Sequence, residues 1–302
     1  MPPPVLIFDR FKSIGEKFQQ FTKFMLMINK LKRQIKSTLL GKWILLIKKR
    51  ITHRHHLQKI TQDYNYNIKK LGTDYGGWSY VDRKELKNST VICAGVGEDI
   101  SFEIEFIKKY NANCILVDPT PRSIIHVNNI LKEIGSPRTK IYNDSGKQEI
   151  ESYDLENITK SQIKFIDKAL WINSGPIKFF KPKNKDHVSH SIINFLNNYS
   201  ANTEFIEVKG TTIKKIIEDY DLKRNFELLK LDIEGAEIPV IRNMLNENIK
   251  PIQICVEFDE LNKPNKSVYA KVSEINKLLT NNGYKCIYTN GSCDFLYFLQ
   301  KD

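Results

Sequence analysis

Residues 228–241 read LLKLDIEGAEIPVI, and this stretch combines an apolar strand, an acidic turn and the start of a helix. The apolar run before the turn is typical of a buried strand, and the apolar residues after it recur at helical spacing. Asp232 and Glu234 therefore follow the carboxyl end of a strand, where open α/β sheets place their ligand sites. An extended backbone would direct both side chains to one side, because they are two residues apart. Apolar residues flank them, so we interpret both as functional acids, whereas Glu237 is typical of a helix start.

Strands and helices alternate on both sides of this stretch. The pattern predicts a three-layer α/β domain. The chain closes with two strands joined by a short link, so we expect one antiparallel strand at the end of the domain. Two polar stretches, 136–160 and 173–202, are interpreted as irregular connections. The predicted strands cover residues 90–94, 114–117, 163–171, 228–233, 252–258, 284–288 and 295–299, and the predicted helices cover 100–110, 121–134, 268–281 and a segment that ends near residue 244.

The first predicted strand runs into a turn that can hold a nucleoside. Residues 95–98, GVGE, separate the strand from a helix, and glycines there let a ligand approach the backbone without a Cβ in the way. The helix N-terminus behind the turn favours electronegative groups. Asp118 ends the next strand, 21 residues after Gly97, where a carboxylate can accept both hydroxyls of an adenosine ribose. The cofactor contacts that we assign here are Gly95, Val96, Gly97, Glu98 and Asp118.

The same turn argues against a dinucleotide. The third glycine of a dinucleotide-binding fingerprint is missing, because Ile100 stands three residues after Gly97. Glu98 and Asp99 would also repel a pyrophosphate. A cofactor that has no phosphate and carries a positive sulfonium fits better, so the residues favour S-adenosyl-L-methionine over NAD.

Further candidates lie outside these two motifs. Glu257 ends the strand after the acidic turn, so it should converge with the acids of that turn. His187, Ser189 and His190 lie in the second irregular stretch and are interpreted as contacts to an acceptor, although Ser189 could instead cap a helix near residue 191. Trp78 follows two glycines and is interpreted as a ring that stacks on a ligand. The alternative for Trp78 is a half-buried indole at a tight turn.

Residues 71–302 resemble the FkbM family of S-adenosylmethionine-dependent methyltransferases. The segment LLKLDIEGAEIPVI is similar to the Lys-Asp-x-Glu-Gly-Ala-Glu signature of the family. VICAGVGEDISFEIEF, at residues 91–106, is similar to its cofactor loop, although Cys93 and Ala94 replace an acid that many members have there. LVDPTPRSI, at 116–124, resembles its acidic-Pro-x-Pro segment, and FIDKALW, at 165–171, resembles its third-strand segment.

The resemblance implies a Rossmann-like class I methyltransferase fold, which is a three-layer sandwich around a mostly parallel seven-stranded sheet with one antiparallel strand. It implies that S-adenosyl-L-methionine is the cofactor. It places Asp118 and Pro119 at the ribose and Asp167 beside the adenine.

The resemblance also implies methyl transfer to a hydroxyl of a sugar, glycan or lipid-linked saccharide. An alcohol is a poor nucleophile, so a base must take its proton as the attack proceeds. We expect Asp232 and Glu234 to fill this role, with Glu257 or His190 in support. Carboxylates can hold a divalent cation, but methyl transfer does not require one, so no metal is predicted.

The positive charge of the chain is concentrated in its first 70 residues, which hold 16 Lys and Arg against 3 Asp and Glu. The remaining residues carry a net charge of −1. Apolar residues at helical spacing predict a basic amphipathic helical arm over residues 1–70, beside a catalytic domain over 71–302. Such an arm suits an anionic membrane surface. The alternatives are packing on the catalytic domain or a partner chain, and contact with nucleic acid.

The location of the protein is expected to be cytoplasmic, with peripheral membrane attachment through the arm. The five cysteines are scattered and include no Cys-x-x-Cys pair, which is typical of reduced thiols. No signal peptide is recognisable at the N-terminus, and no apolar run approaches the ~20 residues that a membrane span needs.

Two other functions are kept beside the leading hypothesis of an O-methyltransferase. The departure at Cys93 and Ala94 allows a methyltransferase-like binding module without activity. The basic arm allows an RNA methyltransferase, for which the arm would act as a tether. Nucleic acid is the weaker hypothesis, because the catalytic region carries no net positive charge and no aromatic-basic RNA motif.

Overall fold

The structure is a computed structural model that describes residues 55–183, 189–194, 197 and 199–300. Residues 1–54 and His187 lie outside the described residues, so most of the basic arm and the contact assigned to His187 stay predictions. Within the described ranges, no helix is both long and apolar enough to cross a membrane.

Strands and helices alternate along the described residues, as the sequence predicts. The strands are β1 (Ile68–Leu71), β2 (Trp78–Val81), β3 (Thr90–Ala94), β4 (Asn113–Val117), β5 (Ile163–Ile166), β6 (Ala169–Leu170), β7 (Gly175–Phe180), β8 (Phe205–Thr211), β9 (Leu228–Leu231), β10 (Gln253–Glu257), β11 (Tyr284–Thr289) and β12 (Asp294–Leu299). The α-helices are α1 (Ser101–Tyr110), α2 (Pro121–Lys132), α3 (Ile213–Asp219), α4 (Glu237–Asn246) and α5 (Lys266–Asn281).

A seven-stranded sheet with the order β11-β12-β10-β9-β3-β4-β5 forms the centre of the fold. The pairs β3–β4, β3–β9, β4–β5 and β9–β10 are parallel, whereas β12 is antiparallel to both of its neighbours. This confirms the predicted mostly parallel sheet with one antiparallel strand. The chain leaves β3 toward β4 on one side and later returns to β9 on the other, so the carboxyl ends of β3 and β9 flank the point where the strand order reverses.

Both faces of the sheet are buried. In β3, Val91 and Cys93 pack into one apolar core, while Ile92 and Ala94 pack into the other. Successive side chains of a strand point to opposite faces, so a strand that is covered on both sides reads as a continuous apolar run. Helices α1 and α2 contribute to the first core, and α3, α4 and α5 contribute to the second.

The strand predicted over residues 163–171 is two separate strands, so this prediction was wrong in its extent. β5 belongs to the central sheet, but β6 pairs with β8 in a small sheet of order β6-β8-β7. Asp167 and Lys168 interrupt the apolar run between them, and Asp167 is exposed. β7 lies inside a stretch that the sequence analysis interpreted as irregular, and it pairs with β8 from Gly175 to Phe180.

Residues 55–70 belong to the same compact unit as the sheet, since this unit begins at His55. Leu57 is buried in the core, and β1 pairs antiparallel with β2. The boundary predicted at residue 70 therefore falls inside the compact unit. Leu57, Ile60, Tyr66 and Ile68 pack on the apolar cores, and the basic residues between them had masked this apolar pattern in the sequence.

Candidate functional site

A cavity of about 400 Å³ lies at the carboxyl ends of β3, β4, β9 and β10. It collects nearly all of the residues singled out from the sequence. Among the candidates that the structure describes, Asp167 is the exception, since it is exposed and does not line the cavity. The predicted residues that line it are Trp78, Gly95, Val96, Gly97, Glu98, Asp118, Pro119, Ser189, His190, Asp232, Glu234 and Glu257.

The turn after β3 can be formed only with glycine at its first position. Gly95 has a φ of +74°, and a Cβ there would lie 1.5 Å from the carbonyl oxygen of Asp232. The turns after β3 and β9 are therefore in direct contact. Gly97 has a φ of +56°, and a Cβ there would meet no protein atom within 4 Å. This part of the turn faces open space, so a ligand can approach its backbone closely.

Asp118 is held by backbone N–H groups and is buried. Its Oδ2 accepts hydrogen bonds from the N–H of Val96 at 3.1 Å and of Gly97 at 2.9 Å. Its Oδ1 accepts the N–H of Thr120 at 2.8 Å. A carboxylate has about four acceptor positions, so Asp118 keeps capacity for hydroxyl donors of a ligand. The carboxylate thus fixes the glycine turn and faces the cavity at the same time.

Asp99 joins three segments around the cavity, and the sequence analysis did not assign it this role. Its Oδ2 accepts from Thr73 Oγ1 at 2.7 Å and from Gln148 Nε2 at 3.1 Å. Its Oδ1 accepts the N–H of Ser101 at 3.0 Å, at the start of α1. An acidic residue just before a helix often hydrogen-bonds to the first N–H groups of that helix. This pattern could have identified the role of Asp99 at the start of α1.

Glu98 lines the cavity with its charge compensated. Its carboxylate forms an ion pair with Arg122 and lies 3.6 Å from Lys147 Nζ. Its backbone carbonyl accepts the N–H of Gln148 at 2.9 Å. Glu98 therefore ties α2 and the connection at residues 143–148 to the glycine turn.

The acids predicted from the sequence converge, and two further acids join them. Asp232, Glu234 and Asp259 each offer a carboxylate oxygen within 4.8 Å of the others. Glu257 forms a second such group with Asp294 and the thiol of Cys293. Asp259 and Asp294 were missed. Asp259 stands two residues after Glu257, so the same spacing argument that linked Asp232 and Glu234 would have found it.

Burial and mutual repulsion raise the pKa values of these acids. Burial, followed by the charge of Asp232, raises the pKa of Glu234 to about 7. Burial and the charges of Asp232 and Asp294 raise the pKa of Glu257 to about 9. The pKa of Asp294 rises to about 6, and the pKa values of Asp232 and Asp259 are also raised, mainly by burial. Acids whose pKa values are raised by burial and by one another are characteristic of functional sites.

The acidic turn has a strained backbone that a neighbouring loop supports. Glu234 has a φ of +55°, in the left-handed region that is costly for a residue with a Cβ. Ser191 Oγ lies 2.6 Å from the Glu234 carbonyl oxygen, and the Ser189 side chain hydrogen-bonds to the Glu234 carboxylate. The helix expected near residue 191 is not present in the described part of this loop. Ser191 instead forms a β-bridge with Phe180.

Lys230 is a buried cation beneath the site. Its Nζ lies 2.9 Å from Glu103 Oε1 and 3.2 Å from the carbonyl oxygen of Gly95. Burial alone would lower the pKa of Lys230, but Glu103 and Asp232 outweigh it, so the pKa is raised. The sequence could have indicated this role, because a lysine inside an apolar strand is almost never buried unless it is paired.

Trp78 lies with its ring 5.7 Å from the Lys230 Nζ and is buried, rather than half-buried as the alternative proposed.

Apolar and aromatic side chains complete the walls. Ala169 and Leu170 are buried and line the cavity, although the sequence analysis had chosen their neighbour Asp167. The His190 ring stacks on Phe179, with 5.4 Å between the ring centroids. At the mouth, Tyr75 is 69% exposed.

Comparison with known proteins identifies a family. The family model described as the methyltransferase FkbM domain matches residues 82–286. The matched region contains the glycine turn, Asp118 and the acids from Asp232 to Asp259. A search of curated proteins found no match to the chain.

Proposed function

The chain belongs to the FkbM methyltransferase family, and on that premise we propose that it transfers a methyl group from S-adenosyl-L-methionine to a hydroxyl of a sugar, glycan or lipid-linked saccharide. The proposal is based on one observation: a single cavity is lined both by residues that suit the cofactor and by acids that can take the proton of the acceptor. The glycine turn with Asp118 and the acids around Asp232 line the same cavity side by side.

The residues at the turn suit this cofactor. The cavity volume of about 400 Å³ falls in the range of small-molecule sites, roughly 300–1,000 Å³. Gly97 leaves the backbone open to a ligand, and Asp118 can accept ribose hydroxyls with lone pairs that its three N–H partners do not use. Ala169 and Leu170 offer an apolar surface for the adenine. The bound cofactor supplies an electrophilic methyl group on a positively charged sulfur.

The charge of the cavity favours a cationic cofactor over a phosphate-bearing one. Among the described residues, Lys230 is the only Lys or Arg that lines the cavity, and it is already paired with Glu103. The acids Asp118, Asp232 and Glu234 face the same space. A sulfonium is therefore attracted here, and a pyrophosphate is repelled.

The acceptor hydroxyl needs a base and a fixed position. Glu234 and Asp232 are placed to take its proton, and the pKa of Glu234 near 7 lies close to the value that suits a general base at neutral pH. Glu257, with a pKa of about 9, holds a proton at neutral pH and can donate a hydrogen bond that orients the acceptor. The main contribution to the rate is orientation of the oxygen behind the methyl group.

The aromatic rings favour a saccharide acceptor. Trp78, Tyr75 and the stacked pair of His190 and Phe179 line the cavity beside the acids. Rings of this kind pack on the apolar faces of a sugar, while carboxylates accept its hydroxyls. His190 and Ser189 are proposed to contact the acceptor through this loop.

The binding-module alternative rests on Cys93 and Ala94, and the structure weakens it. Both side chains are fully buried inside β3 and do not line the cavity. The absence of the acid that many family members have at this position therefore does not change the acidic residues that line the cavity. No observation on the described residues favours the RNA alternative. The basic residues 1–70 are proposed to attach the cytoplasmic enzyme to an anionic membrane surface.

The proposed function is tested by product formation. The protein is incubated with S-adenosylmethionine and with simple sugars, oligosaccharides or lipid-linked saccharides, and S-adenosylhomocysteine is quantified by mass spectrometry. We expect acceptor-dependent product whose added methyl is an ether on a sugar carbon. Methyl transfer to RNA alone would contradict the saccharide assignment, and cofactor binding without product on any acceptor would favour the binding module.

A further inference from the structure

The acidic wall of the cavity carries more negative charge than the protein compensates. Asp232, Glu234 and Asp259 bring one carboxylate oxygen each within 4.8 Å of one another. The ammonium of Lys230 neutralises part of this charge, but its closest carboxylate is Glu103, at 2.9 Å on the far side. Buried charges in proteins are normally paired or coordinate a metal ion.

Asp259 gives a second observation, which does not depend on the clustering. Its residue is only 6% exposed, and its Oδ1 accepts a hydrogen bond from Asn262 Nδ2 at 3.2 Å. Its Oδ2 is buried and receives no hydrogen bond from an N–H or hydroxyl donor in the described part of the chain, and the Asp259 carboxyl lies within hydrogen-bond reach of the Glu234 carboxyl, a second acid. An unsatisfied buried oxygen is costly and calls for a ligand or ion. Asp259 lines the cavity, so that ligand can reach it.

The spacing of the three oxygens suits a hard divalent cation. Oxygen ligands lie about 2.1 Å from Mg²⁺ and about 2.4 Å from Ca²⁺, so two ligands on opposite sides of an ion are about 4.2 Å and about 4.8 Å apart. The three oxygens lie within 4.8 Å of one another, so small side-chain rotations that draw them together would place all three on one ion. Carboxylates without a thiol or imidazole favour Mg²⁺, Ca²⁺ or Mn²⁺ over softer metals. The second group, at Glu257, includes the Cys293 thiol and fits such an ion less well.

We propose that Asp232, Glu234 and Asp259 bind one divalent cation of the Mg²⁺ or Ca²⁺ class at the cavity wall. The turn that supplies Asp232 and Glu234 is held in place independently of the ion. The turn at Asp232 is fixed by its contact with Gly95, and the carbonyl of Glu234 lies against Ser191. Three protein ligands leave further positions of a six- to eight-coordinate ion open toward the cavity.

The role of the ion rests on the proposed function, although its binding does not. An acceptor hydroxyl that occupies an open position on the ion would be oriented and would lose its proton more readily. Glu257 lies outside the proposed ligand set and, because it holds a proton at neutral pH, would donate a hydrogen bond to the acceptor, whose own proton would pass to water in the cavity. No metal was predicted from the sequence, in which Asp259 was not recognised as a member of the acidic cluster.

Cation binding is tested without any methyl acceptor. The full chain is treated with a chelator, and its thermal unfolding midpoint is followed while MgCl2, CaCl2 or MnCl2 is added, with isothermal titration on the same sample. We expect saturable binding of at least one ion at one site per chain and a rise in the unfolding midpoint. The absence of saturable binding by all three ions would overturn the proposal.

Two matched Asp-to-Asn variants assign the site. Asp259→Asn should weaken cation binding by more than about tenfold, since even the loss of an outer-shell partner costs on the order of 10–100-fold. In the chelator-treated state it should unfold at or above the wild-type midpoint, because a charge without a partner is removed. Asp219→Asn changes an exposed residue that pairs with Lys215, and it should bind the cation like the wild type. Equal binding by both variants would overturn the assignment.

The same samples separate this inference from the proposed function. S-adenosylmethionine binding with no cation binding would overturn the cation site and leave the methyltransferase proposal standing. Cation binding with no S-adenosylmethionine binding would do the reverse.

Discussion

The Lys230 ammonium lies 2.9 Å from Glu103 Oε1, and the two side chains are 2% and 0% exposed. The same nitrogen donates to the carbonyl of Gly95 at 3.2 Å. One buried ion pair thus connects β9, α1 and the glycine turn. The acidic turn after β9 and the cofactor turn after β3 are held in register by this contact.

Replacement of Lys230 by Met should destabilise the protein strongly. The change leaves Glu103 buried without its partner, and loss of one member of a buried pair costs about 3–5 kcal/mol. Urea unfolding measures the difference. The double variant Lys230→Met, Glu103→Leu should recover most of the loss, because no uncompensated charge remains. Lys215→Met is the exposed control, and it should cost at most about 1 kcal/mol. A double variant as unstable as the single one would show that the ion pair is not the cause.

Asp118→Asn should weaken S-adenosylmethionine binding by more than about tenfold. The amide replaces one acceptor oxygen with a donor, which would face the N–H of Thr120 or those of Val96 and Gly97. A lost hydrogen bond to a charged group is worth about 1.5–3 kcal/mol. Asp167→Asn is the matched control, since Asp167 is exposed outside the cavity and should leave binding unchanged. If Asp167→Asn weakened S-adenosylmethionine binding more than Asp118→Asn, the result would support the adenine contact that the family resemblance implied for Asp167.

Asp232→Ala should retain S-adenosylmethionine binding and lose turnover. None of the hydrogen bonds that hold Asp118 and the glycine turn involves the Asp232 side chain, and general base catalysis contributes about 10²–10⁴-fold to a rate. S-adenosylhomocysteine release measures turnover, and direct titration measures cofactor affinity. Comparison of the two separates a loss of catalysis from a loss of cofactor binding. Wild-type turnover in this variant would remove Asp232 from the mechanism.

The chelator-treated protein should become less stable as the pH rises from about 6 to about 8. The pKa of Glu257 is about 9 in the folded protein, against 4.5 as its ordinary value, so the folded state holds a proton that the unfolded state has released. The stabilisation that this proton contributes is fully present below pH 4.5, the ordinary pKa. It is lost as the pH rises toward the pKa of the folded protein. The slope is about −1.4 kcal/mol per pH unit for one proton.

Glu257→Gln removes this contribution, so its unfolding free energy should vary less with pH over the same range. Guanidinium unfolding at several pH values provides the comparison. Parallel curves for the variant and the wild type would show that Glu257 is ionised in the folded protein.

Membrane attachment should depend on the residues before the compact unit. The full chain is expected to sediment with anionic vesicles at low salt, and a chain that begins at His55 should stay in the supernatant. Truncation at 54 is preferable to truncation at 70, because Leu57 and β1 belong to the compact unit. Equal sedimentation of both chains would contradict a membrane role for the segment.

Much of the sheet and the two central motifs could be predicted from the sequence. The strand at 90–94 agrees with β3 residue for residue, because a strand buried on both faces leaves an uninterrupted apolar run. Asp232 and Glu234 were recognisable because two acids directly followed such a strand. Their convergence with Glu257 followed from the parallel order of adjacent strands.

The residues that were missed are those whose role depends on distant segments. Lys230 looks like an exception in an apolar strand until α1 brings Glu103 beside it. Asp294 joins the acids only because β12 returns antiparallel beside β10. Asp167 lies outside the cavity lining because the strand there breaks and Ala169 pairs with Gly210 in another sheet. Such pairings are long-range and leave no local pattern.

The central claim is that the cavity beside Gly97 and Asp118 binds S-adenosylmethionine, and isothermal titration of the folded protein tests it most directly. The account predicts one cofactor bound per chain, with binding lost in Asp118→Ala and kept in Asp232→Ala. Absence of binding heat for a protein that unfolds cooperatively, or equal affinity in Asp118→Ala, would contradict it.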